Sequence, residues 1–172
     1  MDTGKQIMET ALNHGADLAG IASVKALKKS ASHLIYPRME DYRGVGTVRK
    51  EEALPVDQLF NWPQTANSAL VIAFSHPEDR PELDWWDGKG TPGNRILMCI
   101  IKKVAPEIED SLSVTCHKLH YYVEKGGVFL KDAAALAGLG TIGRGNMLVT
   151  PEYGPRVRLR ALFLDTELEP TG

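Results

Sequence analysis

Between Lys131 and Asp165 the chain reads KDAAALAGLGTIGRGNMLVTPEYGPRVRLRALFLD, and this stretch restricts the available folds more than any other. Asp132 can cap a short helix through Ala133, Ala134, Ala135, Leu136 and Ala137, because its carboxylate can accept the orphan N–H groups of a first turn. Gly138 and Gly140 then end that helix, since glycine enters the left-handed conformation without a Cβ clash. The chain resumes at Asn146-Met147-Leu148-Val149 and turns through Thr150-Pro151-Glu152-Tyr153-Gly154-Pro155. It leaves as Arg156 to Asp165, with Arg156, Arg158 and Arg160 alternating against Val157, Leu159 and Ala161. That pattern predicts a strand with one basic face that runs into a core. A glycine loop, rigid turns and aligned arginines suit a large anionic or amide-rich ligand.

Gly138-Leu139-Gly140-Thr141-Ile142-Gly143 also satisfies the spacing G-x-G-x-x-G. A dinucleotide loop needs a strand before it and a helix after it. Here a helix precedes it, and Pro151 and Pro155 interrupt the segment after it. A nicotinamide site is therefore not expected at this loop.

A chain of 172 residues with 43% apolar content can bury a core, and its net charge of −2 gives no overall attraction to nucleic acid. No apolar run approaches the roughly 20 residues of a membrane span. The start, MDTGKQIMETALNHG, is amphipathic and lacks a signal-peptide core, so a cytoplasmic protein is expected. Cys99 and Cys116 lie in no C-x-x-C and read as two buried small hydrophobes. Two cysteines cannot ligate an iron–sulfur cluster that requires four.

Lys5 to His14 predicts a helix with Ile7, Met8, Ala11 and Leu12 inward, stopped at Gly15. Asp17 to Ser23 predicts a strand and Val24 to Leu34 a second helix. From Ile35 to Ala66 the periodicity is lost, and long loop or short helical turns are expected. Ala69 to Ser75 is the candidate central strand. His76 to Gly93 is an acidic, aromatic connection in which Trp85 and Trp86 either cover a core edge or form a lid over a flat ligand. Asn94 to Ile108 predicts a long helix, and Ser113 to Tyr122 a strand. His117 and His120 are three apart, off a common strand face, and His14, His33 and His76 are scattered, so no metal site is expected. No G-x-S-x-G elbow supports a serine nucleophile.

Four stretches together resemble the family of epoxyqueuosine reductases and, more distantly, corrinoid reductive dehalogenases. Ala16-Asp17-Leu18-Ala19-Gly20-Ile21-Ala22 is similar to the family's opening strand, and Gly138 to Arg144 to its A-G-L-G-x-x-G-[KR] loop. Thr150 to Arg158 is similar to its [NT]-P-E-Y-G turn, and Asp165 to Pro170 to the segment that closes the domain. The resemblance implies an α+β fold, a nitroreductase-like mixed β-sheet flanked by helices, in a single domain spanning 1–172. It implies base-off cobalamin, a corrinoid, in place of flavin, and electrons from 4Fe–4S clusters in a ferredoxin-like domain. The cobalamin-binding candidates it marks are Gly138, Leu139, Gly140, Gly143, Asn146, Thr150, Pro151, Glu152, Tyr153, Gly154, Arg156 and Arg158. Backbone N–H groups at such glycines can meet a phosphate or amides, as in other anion-binding nests.

The chain departs from that family in two ways. It ends at Gly172, where the cluster-binding cysteines would begin, so it is expected to be a cut piece of a longer reductase, a protein that takes electrons from a separate iron–sulfur donor, or one that only binds its ligand. The family's acidic motif ahead of the glycine loop is also absent as such. Counting back from Gly138 without gaps, Glu124 falls where the proton-donating aspartate would stand, with Tyr121 and Tyr122 beside it. Glu124 and Tyr122 are therefore the catalytic candidates, the alternative being that Glu124 pairs with Lys125. Two other functions stay open. One is an FMN flavoenzyme, for which Lys25-Ala26-Leu27-Lys28-Lys29 would loosely serve the phosphate; the other is a corrinoid-binding module without chemistry. The acidic stretch Glu78 to Asp87 argues against tRNA as substrate without excluding it, and a small organic substrate fits equally.

Overall fold

The computed structural model describes residues 2–38, 48 and 52–172. Its spine is β2 (Ser68–Ser75), whose run of Ala69 to Ala73 is fully buried. On one side β2 pairs with β1 (Leu18–Ser23), from Leu18 opposite Ala73 to Ser23 opposite Ser68. On the other it pairs along its whole length with β6 (Val157–Leu164). A three-residue strand, β3 (Cys116–Lys118), completes the order β1-β2-β6-β3.

Every pairing in this sheet is antiparallel, which corrects the expected mixed sheet. The reason is topological. Strands β2 and β3 both oppose β6 and so run in the same direction, linked by a long helix, but β6 inserts between them and no parallel neighbours remain. The fold is α+β, with helices on both faces.

Alternation along β2 sends Leu70 and Ile72 to one face and Ala69, Val71 and Ala73 to the other. The first face receives α1 (Thr3–Asn13) and α4 (Pro92–Leu112), through Ile7, Ala11, Leu97, Ile100, Val104 and Ile108 at helical spacing. The second receives α5 (Leu130–Leu136), whose Ala133 and Ala134 let it lie close against the small side chains of β2. Trp62 fills the remaining space by packing edge-on to Phe163, ring centroids 4.9 Å apart.

Several boundaries differ from expectation. The second helix divides into α2 (Val24–Leu27) and α3 (Ala31–Ile35), because Ser30 adopts an extended backbone (φ −68°, ψ 155°). α4 is longer than the pattern suggested, since Pro92 fits its first turn. The strand expected over Ser113 to Tyr122 shrinks to β3, and the aperiodic region shows short 3-10 turns at Tyr36–Arg38 and Val56–Gln58. The rest of that region's middle, 39–47 and 49–51, lies outside the described residues. Cys99 is exposed and Cys116 half-buried, not two buried thiols: Cys99 lies on the outward face of α4. Trp85 and Trp86 are 65% and 73% exposed, so they cover no core edge. Among the described residues no helix is long and apolar enough to cross a membrane.

Candidate functional site

Chain leaving β3 builds the site. Tyr121 and Tyr122 lead into a 3-10 turn, Val123–Lys125, closed by Gly126 at φ +91°. The turn is held from several sides: Leu54 N donates to Glu124 O (2.8 Å), Gly127 N to Tyr122 O (3.0 Å), and Trp62 Nε1 to Gly126 O (3.1 Å). Gly127 is required here, because a Cβ would sit 2.3 Å from the His120 carbonyl oxygen. The result is that Glu124 is buried, with 8% of its surface exposed. Lys125 pairs with Glu52 at 2.8 Å.

Tyr122 and Glu124 form one wall of a cleft of about 390 Å³. Phe129, Leu130 and Lys131 at the start of α5 form the opposite wall, and Val157, Arg158 and Leu159 of β6 the floor. β6 pairs with β3 only over Leu162 to Leu164, so among the described strands its residues from Val157 to Ala161 have no partner on this side. The cleft is therefore lined by a stretch of β6 that has no strand partner on this side among the described residues. Asn94, from the first turn of α4, completes the lining.

Of the three arginines, two are held by the protein. Arg156 Nε donates to the His76 carbonyl (3.0 Å), and Arg158 pairs with Asp84, which also meets His76 Nδ1 at 2.9 Å. Burial pushes the Asp84 carboxyl up, but the hydrogen bond from Arg158, together with the charge and hydrogen bond of His76, outweighs it and holds Asp84 below its ordinary value. Arg158 lines the cleft, while its Nε is buried without a hydrogen-bond partner among the described residues.

The glycine loop lies outside the cleft lining, and the amides of Gly138, Leu139 and Gly143 are not free as expected. Gly138, at φ +72°, closes α5 in a Schellman arrangement: its N–H donates to Ala135 O (3.1 Å) and that of Leu139 to Ala134 O (2.9 Å). A Cβ on Gly140 would lie 2.3 Å from Val149 O, so this glycine serves a close crossing of the chain. Beyond it β4 (Thr141–Ile142) and β5 (Leu148–Val149) form a hairpin in which Gly143 N donates to Met147 O. In the turn after it, Thr150 is buried; its Oγ1 accepts from Tyr153 N (3.0 Å) and donates to Gly154 O (3.2 Å). Pro151, Glu152 and Tyr153 project outward, and Ile142, Met147, Val149 and Tyr153 leave an exposed apolar surface. The cleft and this hairpin are joined by Lys131, whose Nζ donates to Asn146 O at 2.6 Å.

Structure thus brings Tyr122, Glu124 and Arg158 together and keeps the glycine loop and the Thr150–Gly154 turn on a neighbouring surface. Sequence reasoning missed Lys131, Asn94 and a buried chain beneath the cleft. In that chain Phe129 N donates to His33 Nε2 (3.3 Å), His33 Nδ1 meets Ser30 Oγ (2.7 Å), and Ser30 Oγ donates to Asp132 (2.7 Å). Burial, opposed by the charge of Asp132, lowers the His33 pKa to about 4, so the ring is neutral and its Nε2 accepts. No spacing signals this group, because its members are about a hundred positions apart. Lys25, Lys28 and Lys29 line a separate groove of about 340 Å³ that shares no lining residue with the cleft. Among the described residues no cluster of three or more metal-ligating side chains occurs.

This architecture superimposes on structures of epoxyqueuosine reductases and of reductive dehalogenases. An epoxyqueuosine reductase from Streptococcus thermophilus superimposes with a TM-score of 0.69 at 22% identity, over 99% of this chain and 48% of that one. A reductive dehalogenase structure, described with a mechanism for B12-dependent dehalogenation, superimposes with a TM-score of 0.58 at 16% identity, over 98% of this chain and 20% of that one. In sequence the chain is a distant relative of the tetrachloroethene reductive dehalogenase of Desulfitobacterium hafniense, 36% identical over 133 residues. That match takes in 63% of this chain and 24% of the dehalogenase, so the chain spans about a quarter of that relative. No protein-family model matches the chain.

Proposed function

We propose that the chain is the cobalamin-binding part of a reductase that resembles epoxyqueuosine reductase, with electrons delivered by a 4Fe–4S module outside residues 1–172. The observation that carries this reading is the cleft that buried Glu124 and Tyr122 line together with the stretch of β6 that has no strand partner on this side among the described residues. The residues fit a corrinoid. Val157, Leu159 and Phe129 offer apolar area to a macrocycle. The Arg158 side chain adds a positive charge to the cleft lining, beside its pairing with Asp84. The cleft holds only part of so large a ligand, and the exposed hairpin surface of Ile142, Met147 and Val149 extends it. The candidate residues from Gly138 to Gly154 act there by shaping that surface more than by donating amides.

A bound corrinoid would supply the reducible metal centre. What the chain adds is the Glu124 carboxyl as the group that would pass a proton, the Tyr122 hydroxyl on the same wall, and the apolar side chains of the cleft. On this reading the fold is a nitroreductase-like scaffold and works in the cytoplasm with a ferredoxin-like donor. The acidic stretch around Glu78 and Asp79 favours a small organic substrate over tRNA. An FMN reading has less support, because the lysines that would take its phosphate line the separate groove.

The test is an ultraviolet–visible titration of the purified protein with hydroxocobalamin, beside one with FMN. A saturating shift to the base-off spectrum is expected. Saturation by FMN alone, or by neither, overturns the assignment. Glu124→Gln separates a reductase from a module that only binds: full binding with lost reduction, measured with a supplied low-potential donor, is expected for the reductase.

A further inference from the structure

Arg160 is the arginine that the cleft and the 76–84 segment leave unused. Among the described residues its guanidinium has no hydrogen bond or ion pair, and its Nε is buried without a partner. What the protein gives it is the face of Tyr121, 4.4 Å from the guanidinium carbon. A cation withdrawn from water needs an acceptor or a counter-charge, and a π face supplies only part of that. Burial lowers the Arg160 pKa, and its field, after burial and Lys125, helps to lower that of His120. The charge is uncompensated within the described residues.

Arg160 lines a recess of about 160 Å³ at the point where β3 forks away from β6. Lys102 of α4 and Lys118 at the end of β3 line it too, neither with a carboxylate partner among the described residues, so three cations meet there without an acid. The walls are apolar: Met98 and Ile101 on the α4 side and Leu119 opposite. Such a recess repels a cation and is too small and too apolar for a heavily hydrated polyanion. A planar carboxylate matches a guanidinium fork, and the apolar walls would take a short stem.

We propose that this recess binds an organic carboxylate carried on a short apolar stem, anchored by Arg160 with Lys102 and Lys118 at its mouth. The site shares no lining residue with the Glu124 cleft, although Tyr121 of the cleft lies against the Arg160 guanidinium, and the proposal does not depend on cobalamin. The carboxylate can belong to a free small acid or to an acidic side chain of a protein partner.

The experiment tracks the Arg160 side-chain N–H by NMR in the purified protein during titration with benzoate and butyrate, and with the neutral isosteres benzamide and butyramide. Saturable shifts are expected with the acids, at least tenfold weaker with the amides. Arg160→Gln should weaken the acids at least tenfold, measured in that variant on backbone amides of the recess. Lys118→Gln, at an exposed position, should weaken them severalfold and keeps the test open if the arginine variant does not fold. A short peptide ending in Leu-Glu separates the two sources: tighter binding than butyrate assigns the recess to a protein partner, weaker binding to a free acid. Equal affinity for acids and amides, no saturation, or acid binding unchanged in both variants overturns the proposal.

Discussion

Ser30 Oγ donates to Asp132 Oδ2 across 2.7 Å, and so the carboxylate of α5 holds the start of α3. The sequence pattern assigns Asp132 to the cap of its own helix. Instead it lies inside α5, buried, and accepts from Ser32 N (3.1 Å) and Ser32 Oγ (2.8 Å) as well. It supplies the N-terminal acceptor that α3 lacks, because Ser30 makes no cap hydrogen bond of its own. Asp132→Ala should therefore destabilise the fold by about 1–3 kcal/mol, since it leaves three part-buried donors of Ser30 and Ser32 without this acceptor. Urea unfolding measures this, and a loss below about half a kilocalorie would contradict the role.

His33 makes stability depend on pH. Its folded pKa of about 4 lies below the ordinary 6.5. Above pH 6.5 both states are neutral and the contribution is fully present. Below it the unfolded chain takes up a proton that the folded chain refuses, so stability falls from pH 6.5 to about 4 and then levels. The loss amounts to about 3 kcal/mol at most. Urea midpoints across that range should decline in the wild type, and more shallowly in His33→Gln.

The two glycine roles can be separated. Gly140→Ala must displace the backbone at Val149, whose oxygen would be 2.3 Å from the new Cβ, and should cost several kcal/mol or prevent folding, on the order of other overpacking changes. Gly145→Ala meets nothing within 4 Å at a backbone without positive φ and should be near neutral. Thermal melts of the two variants side by side check the contrast.

The thiols should differ in reactivity. Cys116 is half-buried, and burial, with Glu109 and Asp165 nearby, pushes its thiol up to about 12. Cys99 is exposed on α4. Alkylation at about pH 8 should label Cys99 first, with mass spectrometry of the partly labelled protein as the readout. Preferential labelling of Cys116 would contradict this account.

Much of the scaffold was legible in the sequence for physical reasons. Alternation and β-branching marked β2, helical spacing marked α1 and α4, and Gly138 marked the end of α5. These signals come from neighbours along the chain, where periodicity and turn chemistry act. The site was legible only in part. Counting back from Gly138 led to Glu124 in the cleft wall, but the amides of Gly138, Leu139 and Gly143 in the glycine loop are spent within the chain. The alignment of three arginines did not reveal their separate partners: His76 O for Arg156, Asp84 for Arg158 and the Tyr121 ring for Arg160.

The sequence alone determined a central apolar strand, an alanine helix stopped by glycine, and a basic-apolar closing strand, because local stereochemistry and burial periodicity suffice for those. Only the tertiary structure decided that β6 inserts between β2 and β3, which makes the sheet antiparallel and leaves part of an edge open. It also decided that Asp132 serves a distant helix and that Arg160 lacks a counter-charge among the described residues. These outcomes depend on which segments meet across a hundred residues, and no local pattern encodes that.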